Sequence, residues 1–199
     1  MSLPYLLVIL NMSVIGLLPF TFFRRGAFNP RWLVTSAPIA VAGWAVLAAW
    51  VGVLTPWWGS ASPPGVLAVG VALAAVSLLT IGLAVGANRV PLALWHQDED
   101  APIEIVRWGP YAVVRHPFYT AFLAALVAAT CIAPSVFTIA SASVGTAALG
   151  VTARREERRL LSSPLGEVYA GYAAATGRFV PRLGRLRNAE HAADVEVAR

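Results

Sequence analysis

Largely apolar residues with no charged side chain occupy positions 3–23, 32–54 and 64–87. Coiled as helices, runs of this length cross the roughly 30 Å hydrocarbon core of a bilayer. A fourth uncharged region covers residues 117–151. As one straight helix it would measure roughly 52 Å, too long for a single crossing. Pro134, near its middle, removes a backbone donor and disfavours helix in the residue before it, so the pattern predicts two helices in a tight hairpin. Each arm is short for a full span, which leaves a re-entrant pair as the structural alternative. The expected fold is all-α, a polytopic transmembrane helical bundle of about five spans. Three helices lie in residues 1–87 and a cytoplasmic loop, the hairpin and a C-terminal lid segment in 88–183. The polar, Ala-rich tail of 184–199 is expected to be disordered.

Composition supports the membrane reading. Of 199 residues 58% are hydrophobic and only 13% are charged, against roughly 25% charged in a soluble domain. The net charge of +5 comes from 15 arginines and no lysine against 10 acidic residues. In so apolar a chain this excess points to membrane orientation rather than nucleic-acid binding. Arg24, Arg25 and Arg31 fall between the first and second spans, Arg89, Arg107 and Arg115 between the third and fourth, and nine follow the fifth. By the positive-inside rule the N-terminus is outside and the C-terminus cytoplasmic. A signal peptide is disfavoured at the start, because its basic residues follow the apolar run. Trp32, Trp57, Trp58, Trp95 and Trp108 lie at expected interfaces, where amphipathic rings anchor. The single Cys131 forms no internal disulfide. All acidic residues fall on cytoplasmic stretches, which argues against an ion pump, proton relay or voltage sensor. No internal repeat suggests an inverted-repeat transporter. Any chemistry belongs at the cytoplasmic face.

Two segments there could carry it. The first ends Arg107-Trp-Gly-Pro-Tyr-Ala-Val-Val-Arg-His-Pro-Phe-Tyr119. Gly109 and Pro110 make a turn, and Pro117 suits the first turn of a helix, so His116 takes the helix-start position. A helix N-terminus favours an anionic group such as a carboxylate. Tyr119 lies on the same face as His116, one turn in. The plainer alternative is an interfacial cap with a snorkelling Arg115 and an anchoring Tyr111. The second segment contains Arg154-Arg-Glu-Glu-Arg-Arg159, Tyr169, Tyr172 and Arg178-Phe-Val-Pro181. A solvated helix with i,i+4 pairs accounts for its charges. The aromatic series Tyr169, Tyr172 and Phe179 suggests instead a segment that folds back and closes a pocket.

Residues Gly109 to Tyr119 resemble the GPYxxVRHPxY signature of the isoprenylcysteine carboxyl methyltransferase and phospholipid methyltransferase superfamily. Glu156-Glu157, Gly166-Glu167-Val168-Tyr169, Tyr172 and Arg178 to Pro181 are similar to further elements of that family. The resemblance covers roughly residues 80 to 183. The chain departs from the pattern at Ala121, where the family commonly has Gly, and at Gly177, where it often has Pro. One extra residue separates the acidic pair from Gly166.

The resemblance implies an integral-membrane methyltransferase using S-adenosylmethionine, bound at the cytoplasmic ends of the last spans under the C-terminal segment. Carried over by motif, Gly109, Tyr111, His116, Pro117, Tyr119, Glu156 or Glu157, and Arg178 would hold the cofactor, with Tyr169 and Tyr172 lining the lid. Arg154 or Arg115 would orient an anionic acceptor, and Glu157 would stand at the reacting centre. Methyl transfer from a sulfonium needs proximity and orientation more than a strong acid. A carboxylate acceptor needs no base, whereas an amine needs one, for which His116 or a glutamate is the candidate. The expected partner is a lipophilic acceptor entering from the membrane, most directly a carboxylate of the isoprenylcysteine type. Phospholipid or other amine acceptors, a nicotinamide-dependent sterol-type reductase and a non-enzymatic membrane scaffold are the alternatives.

Overall fold

The structure is a computed structural model that describes residues 3–21, 31–59, 62–87 and 104–182. Six α-helices and one short 3₁₀ turn account for its regular structure, with no strand among the described residues. The helices are α1 (Leu3–Thr21), α2 (Arg31–Trp50), α3 (Pro64–Ala87), α4 (Pro117–Ile132), α5 (Val136–Leu161) and α6 (Gly166–Ala175), with the 3₁₀ turn at Gly109–Ala112. The loop of residues 88–103 and the tail beyond residue 182, including the tail expected to be disordered, lie outside the described residues.

Two helices, α3 and α5, are long and apolar enough to cross a membrane. The apolar stretches of the other three, Leu3–Leu18, Val34–Trp50 and Pro117–Ile132, are shorter. The all-α class is therefore observed, with five apolar helices in the expected order.

Helix α4 is the centre of the bundle and packs against α1, α2, α3 and α5. Its sequence allows this. Ala121, Ala125, Ala128 and Ala129 are small and buried, interleaved with Phe118, Phe122, Leu126 and Ile132, so neighbouring helices approach closely on several sides. Gly145 of α5 makes a similar approach, since a Cβ there would press on Leu126 Cδ1 at 2.6 Å. One core draws on α1 through α5, from Val8 and Ile39 to Ala74, Phe122 and Leu149. Asn11 is fully buried within it. Its Nδ2 donates to the Ala74 carbonyl (2.9 Å) and its Oδ1 accepts from Ser77 Oγ (3.1 Å), which joins α1 to α3.

The hairpin forms where the proline places it. α4 stops at Ile132, and Ser135 caps α5 reciprocally with Thr138: Thr138 N donates to Ser135 Oγ (3.3 Å) and Ser135 N donates to Thr138 Oγ1 (3.0 Å). At this end the Trp57 amide donates to the Pro134 carbonyl (2.9 Å) and Ser62 Oγ to the Cys131 carbonyl (3.1 Å). At the opposite end, where α3 finishes, Trp108 Nε1 donates to the Ala87 carbonyl (2.9 Å). That end carries the 3₁₀ turn, the charged part of α5 and α6.

Candidate functional site

Pro117 opens α4 and leaves Arg115 and His116 just before it, while α5 continues past its last apolar turn into Arg154–Arg159. The buried stripe of α5 runs through Leu149, Ala153 and Glu157, one helical turn apart, so Glu157 arrives against the start of α4. After α6 the chain doubles back along residues 114–116. Val114 forms a bridge with Gly177, Arg115 N donates to the Gly177 carbonyl (2.8 Å) and His116 N to the Arg178 carbonyl (3.2 Å). Thr120 Oγ1 fastens the same strap by donating to the Phe179 carbonyl (2.9 Å). The two segments singled out in the sequence thus meet backbone to backbone.

Gly177 makes this approach feasible. A Cβ at that position would collide with the Val180 carbonyl, so proline, like any other side chain, does not fit there. The departure from the family pattern at Gly177 follows the course of this strap. Gly109 has φ +60, a left-handed conformation that glycine adopts without penalty.

Glu157 is the hub of a charged cluster. Its Oε1 accepts from Arg115 Nε (3.0 Å) and Arg178 Nε (3.0 Å), and faces His116 Nε2 at 3.3 Å. Its Oε2 accepts from Arg178 Nη2. Arg115 also donates to the carbonyls of Ala173 (3.0 Å) and Thr176. The Arg115 side chain is only 11% exposed. The snorkelling alternative for Arg115 is therefore overturned: the guanidinium turns inward because three acceptors converge on it.

Glu156 takes a different position. Its Oε1 accepts from Tyr119 Oη (2.6 Å), and its Oε2 lies 3.5 Å from His116 Nδ1. The imidazole is therefore held between the two glutamates. It stacks parallel on Tyr119 with centroids 5.2 Å apart, and Phe179 closes one side at 5.9 Å.

Both glutamates stand beyond Ala153, where the apolar stretch of α5 ends. Burial pushes the Glu156 carboxyl up to about 7, with Tyr119 and Arg159 opposing. Burial also resists ionisation of Glu157, but hydrogen bonds from His116, Arg178 and Arg115 outweigh it and hold its carboxyl well below the usual range. Burial lowers the His116 imidazole against the pull of Glu157. In the protonated form of Glu156, a neutral imidazole between it and an ionised Glu157 satisfies every contact. Nε2–H then donates to Glu157, and Nδ1 accepts from Glu156.

Tyr172 donates to the Tyr111 carbonyl (2.7 Å) and pins α6 over the 3₁₀ turn. Tyr169 packs beside it, with ring centroids 6.0 Å apart. Tyr169 is 3% exposed, yet its hydroxyl makes no hydrogen bond among the described residues. Arg154 stands apart from the cluster. It is exposed and lines an open groove on α5 together with Arg178.

Of the residues expected at the site, Arg115, His116, Pro117, Tyr119, Glu156, Glu157, Tyr169, Tyr172 and Arg178 are brought together at one end of the bundle. Gly109 and Tyr111 lie in the adjoining turn, and Arg154 lies outside the cluster, on the groove it lines with Arg178. Thr120, Thr176 and Gly177, which tie the strap, were not among the site candidates. Their roles depend on partners more than fifty residues away, main-chain groups for Thr120 and Gly177 and the Arg115 guanidinium for Thr176, which leave no spacing signal. The chain matches no family model, no curated protein and no solved structure.

Proposed function

We propose that the chain is an integral-membrane methyltransferase of five spans, with its N-terminus outside and the Glu157 cluster at the cytoplasmic face. In this reading it uses S-adenosylmethionine and a lipophilic acceptor. The observation that carries the proposal is the joining of the 109–119 and 154–181 segments around His116. The family resemblance rested on these two stretches separately, and the fold makes them one site.

The residues present suit such a cofactor. The buried Tyr169 hydroxyl lies near Arg115 but makes no well-formed hydrogen bond among the described residues, and buried polar groups ordinarily have partners. Tyr119, His116 and Phe179 form an aromatic corner of the kind that attracts a sulfonium cation. Arg178 keeps its side chain 34% exposed, in reach of a carboxylate. Glu157 has both oxygens engaged, so its part is to hold Arg115, Arg178 and His116 in place rather than to meet the reacting atoms. Arg115 is committed in the same way, which leaves Arg154 as the arginine available to an anionic acceptor. The cofactor would supply an activated methyl group. The protein supplies orientation and a site shielded from water, which together contribute several kcal/mol.

Glu156 favours a second reading of the acceptor. A carboxyl pushed up to about 7 is a base of the strength that suits proton removal near neutral pH. An amine or hydroxyl acceptor would use it, whereas a carboxylate would not.

Calorimetric titration of the detergent-purified chain with S-adenosylmethionine and its demethylated product tests the proposal. Binding of both, lost in His116→Ala, weakened in Tyr119→Phe and unchanged in Arg155→Ala, is the expected result. Absence of binding in a folded protein would overturn it.

A further inference from the structure

An open groove of about 610 Å³ lies outside the Glu157 cluster, between α5 and the strap that follows α6. Ala147, Gly150, Val151 and Arg154 fall on one stripe of α5, and Val180 and Arg178 form the facing wall. The groove is apolar over most of its length and cationic at one end, where α5 leaves its uncharged stretch. A Cβ at Gly150 would meet nothing within 4 Å, and Val151 and Val180 are exposed. The walls do not close on one another.

The two arginines at the mouth have capacity to spare. Among the described residues the Arg154 guanidinium has no partner. Arg178 gives Nε and Nη2 to Glu157 and keeps Nη1. Because Glu157 is already matched by Arg115 and Arg178, no carboxylate among the described residues answers Arg154. An anion with at least two acceptor oxygens and an attached hydrocarbon chain complements both ends of this groove, and guanidinium groups bind phosphate with high directional specificity.

We propose that the groove seats an anionic phospholipid, its phosphate between Arg154 and Arg178 and one acyl chain along Ala147, Gly150 and Val151. The inference rests on the membrane-embedded part of the reading above and on no part of its chemistry. An acceptor oriented by Arg154, or a cofactor carboxylate held by Arg178, would compete with this lipid for the same guanidinium.

The full chain, reconstituted into phosphatidylcholine bilayers with or without phosphatidylglycerol, provides the test. Retained lipid is counted by native mass spectrometry, and the thermal midpoint is followed alongside. Phosphatidylglycerol is expected to be retained and to raise the midpoint. Arg154→Gln should weaken retention about tenfold, the loss of one charge-assisted contact. Gly150→Leu, whose Cβ meets nothing within 4 Å and whose remaining atoms extend into the groove, should reduce retention with all charges kept. Arg155→Gln makes the same change of net charge away from the groove and should leave retention intact. Equal loss in Arg155→Gln would show diffuse surface attraction and overturn the site, as would full retention in Gly150→Leu. The same stabilisation by inorganic phosphate in pure phosphatidylcholine would assign the arginines to a free anion and overturn the lipid. A chain that stays outside the bilayer fails at reconstitution, before any variant is compared, and removes the membrane reading itself.

Discussion

The Glu157 carboxylate faces two guanidinium groups and an imidazole, while one position earlier Glu156 faces a phenol and the other side of the same imidazole. Their contributions to stability therefore run in opposite directions with pH. Glu157 is held below its ordinary 4.5, so its contribution is present above that value and is lost as pH falls below it. Glu156 is raised to about 7, so its contribution is complete below 4.5 and is lost as pH rises through 7. Glu157→Gln leaves the largely buried Arg115 and the partly exposed Arg178 without their counter-charge and is expected to cost up to about 3 kcal/mol at neutral pH, the low end for a broken buried pair. Glu156→Gln keeps an acceptor for Tyr119 and should remove the decline between pH 5 and 8. Thermal unfolding of both variants across that range checks the two signs. A steeper decline in Glu156→Gln would reverse the assignment. The acidic pair was legible in the sequence, but the division of labour within it was not. That division depends on helical phase, which places Glu157 below Ala153 and Leu149 on the buried stripe and turns Glu156 toward Tyr119. Phase is set by what packs against α5, and the packing partners come from α2, α4 and α6. Gly177 reads the same way: its lack of a side chain matters because of Val180, and Gly177→Ala should cost about 1–3 kcal/mol through overpacking and loosen the strap, seen as faster amide exchange at Arg115 and His116.

Among the elements, the hairpin was the most legible, since one proline in a long uncharged run leaves few ways to break it. The details that make the break a stable corner come from side chains. Thr138 is fully buried; besides its exchange with Ser135, its hydroxyl donates to the Ala133 carbonyl (2.9 Å). Thr138→Val keeps the shape and the amide bond to Ser135 Oγ but removes the hydroxyl's bonds to Ser135 N and the Ala133 carbonyl, with an expected cost of about 1–2 kcal/mol for the buried groups left unpaired. The loss should appear in the thermal midpoint while cofactor titration is unchanged, because the hairpin corner and the Glu157 cluster occupy opposite ends of α4. A concurrent loss of binding would mean that α4 transmits strain along its length. Helix α6 was less legible. Its aromatics marked a segment that folds back, but a helix of ten residues is too short to be stable alone. It is held by Tyr172 on the Tyr111 carbonyl and by Arg115 on its last turn, contacts that exist only after the bundle has formed.

Across the whole molecule, charge divides the bundle into two ends. No charged residue occurs from Trp32 to Ala87 or from Pro117 to Ala153, and the cluster gathers Arg115, Glu156, Glu157 and Arg178 where α3 and α5 finish. The other end holds the α2–α3 and α4–α5 turns, with Trp57 and Trp58 exposed beside Pro134. An arginine bias of this kind sets orientation in the membrane, because basic residues are retained on the cytoplasmic side. The ends can be distinguished by chemical access. In a background with Cys131→Ala, one cysteine is introduced at Trp57 and, in a separate chain, at Ser163 in the turn before α6. Intact cells are then treated with a membrane-impermeant maleimide. Trp57→Cys should label from outside, and Ser163→Cys should label only after the cells are opened. The reverse pattern would put the Glu157 cluster outside, and labelling of both from one side would require an even number of crossings. In the first case the cluster would face a compartment without cytoplasmic S-adenosylmethionine, so this measurement also tests whether the proposed chemistry has access to its methyl donor.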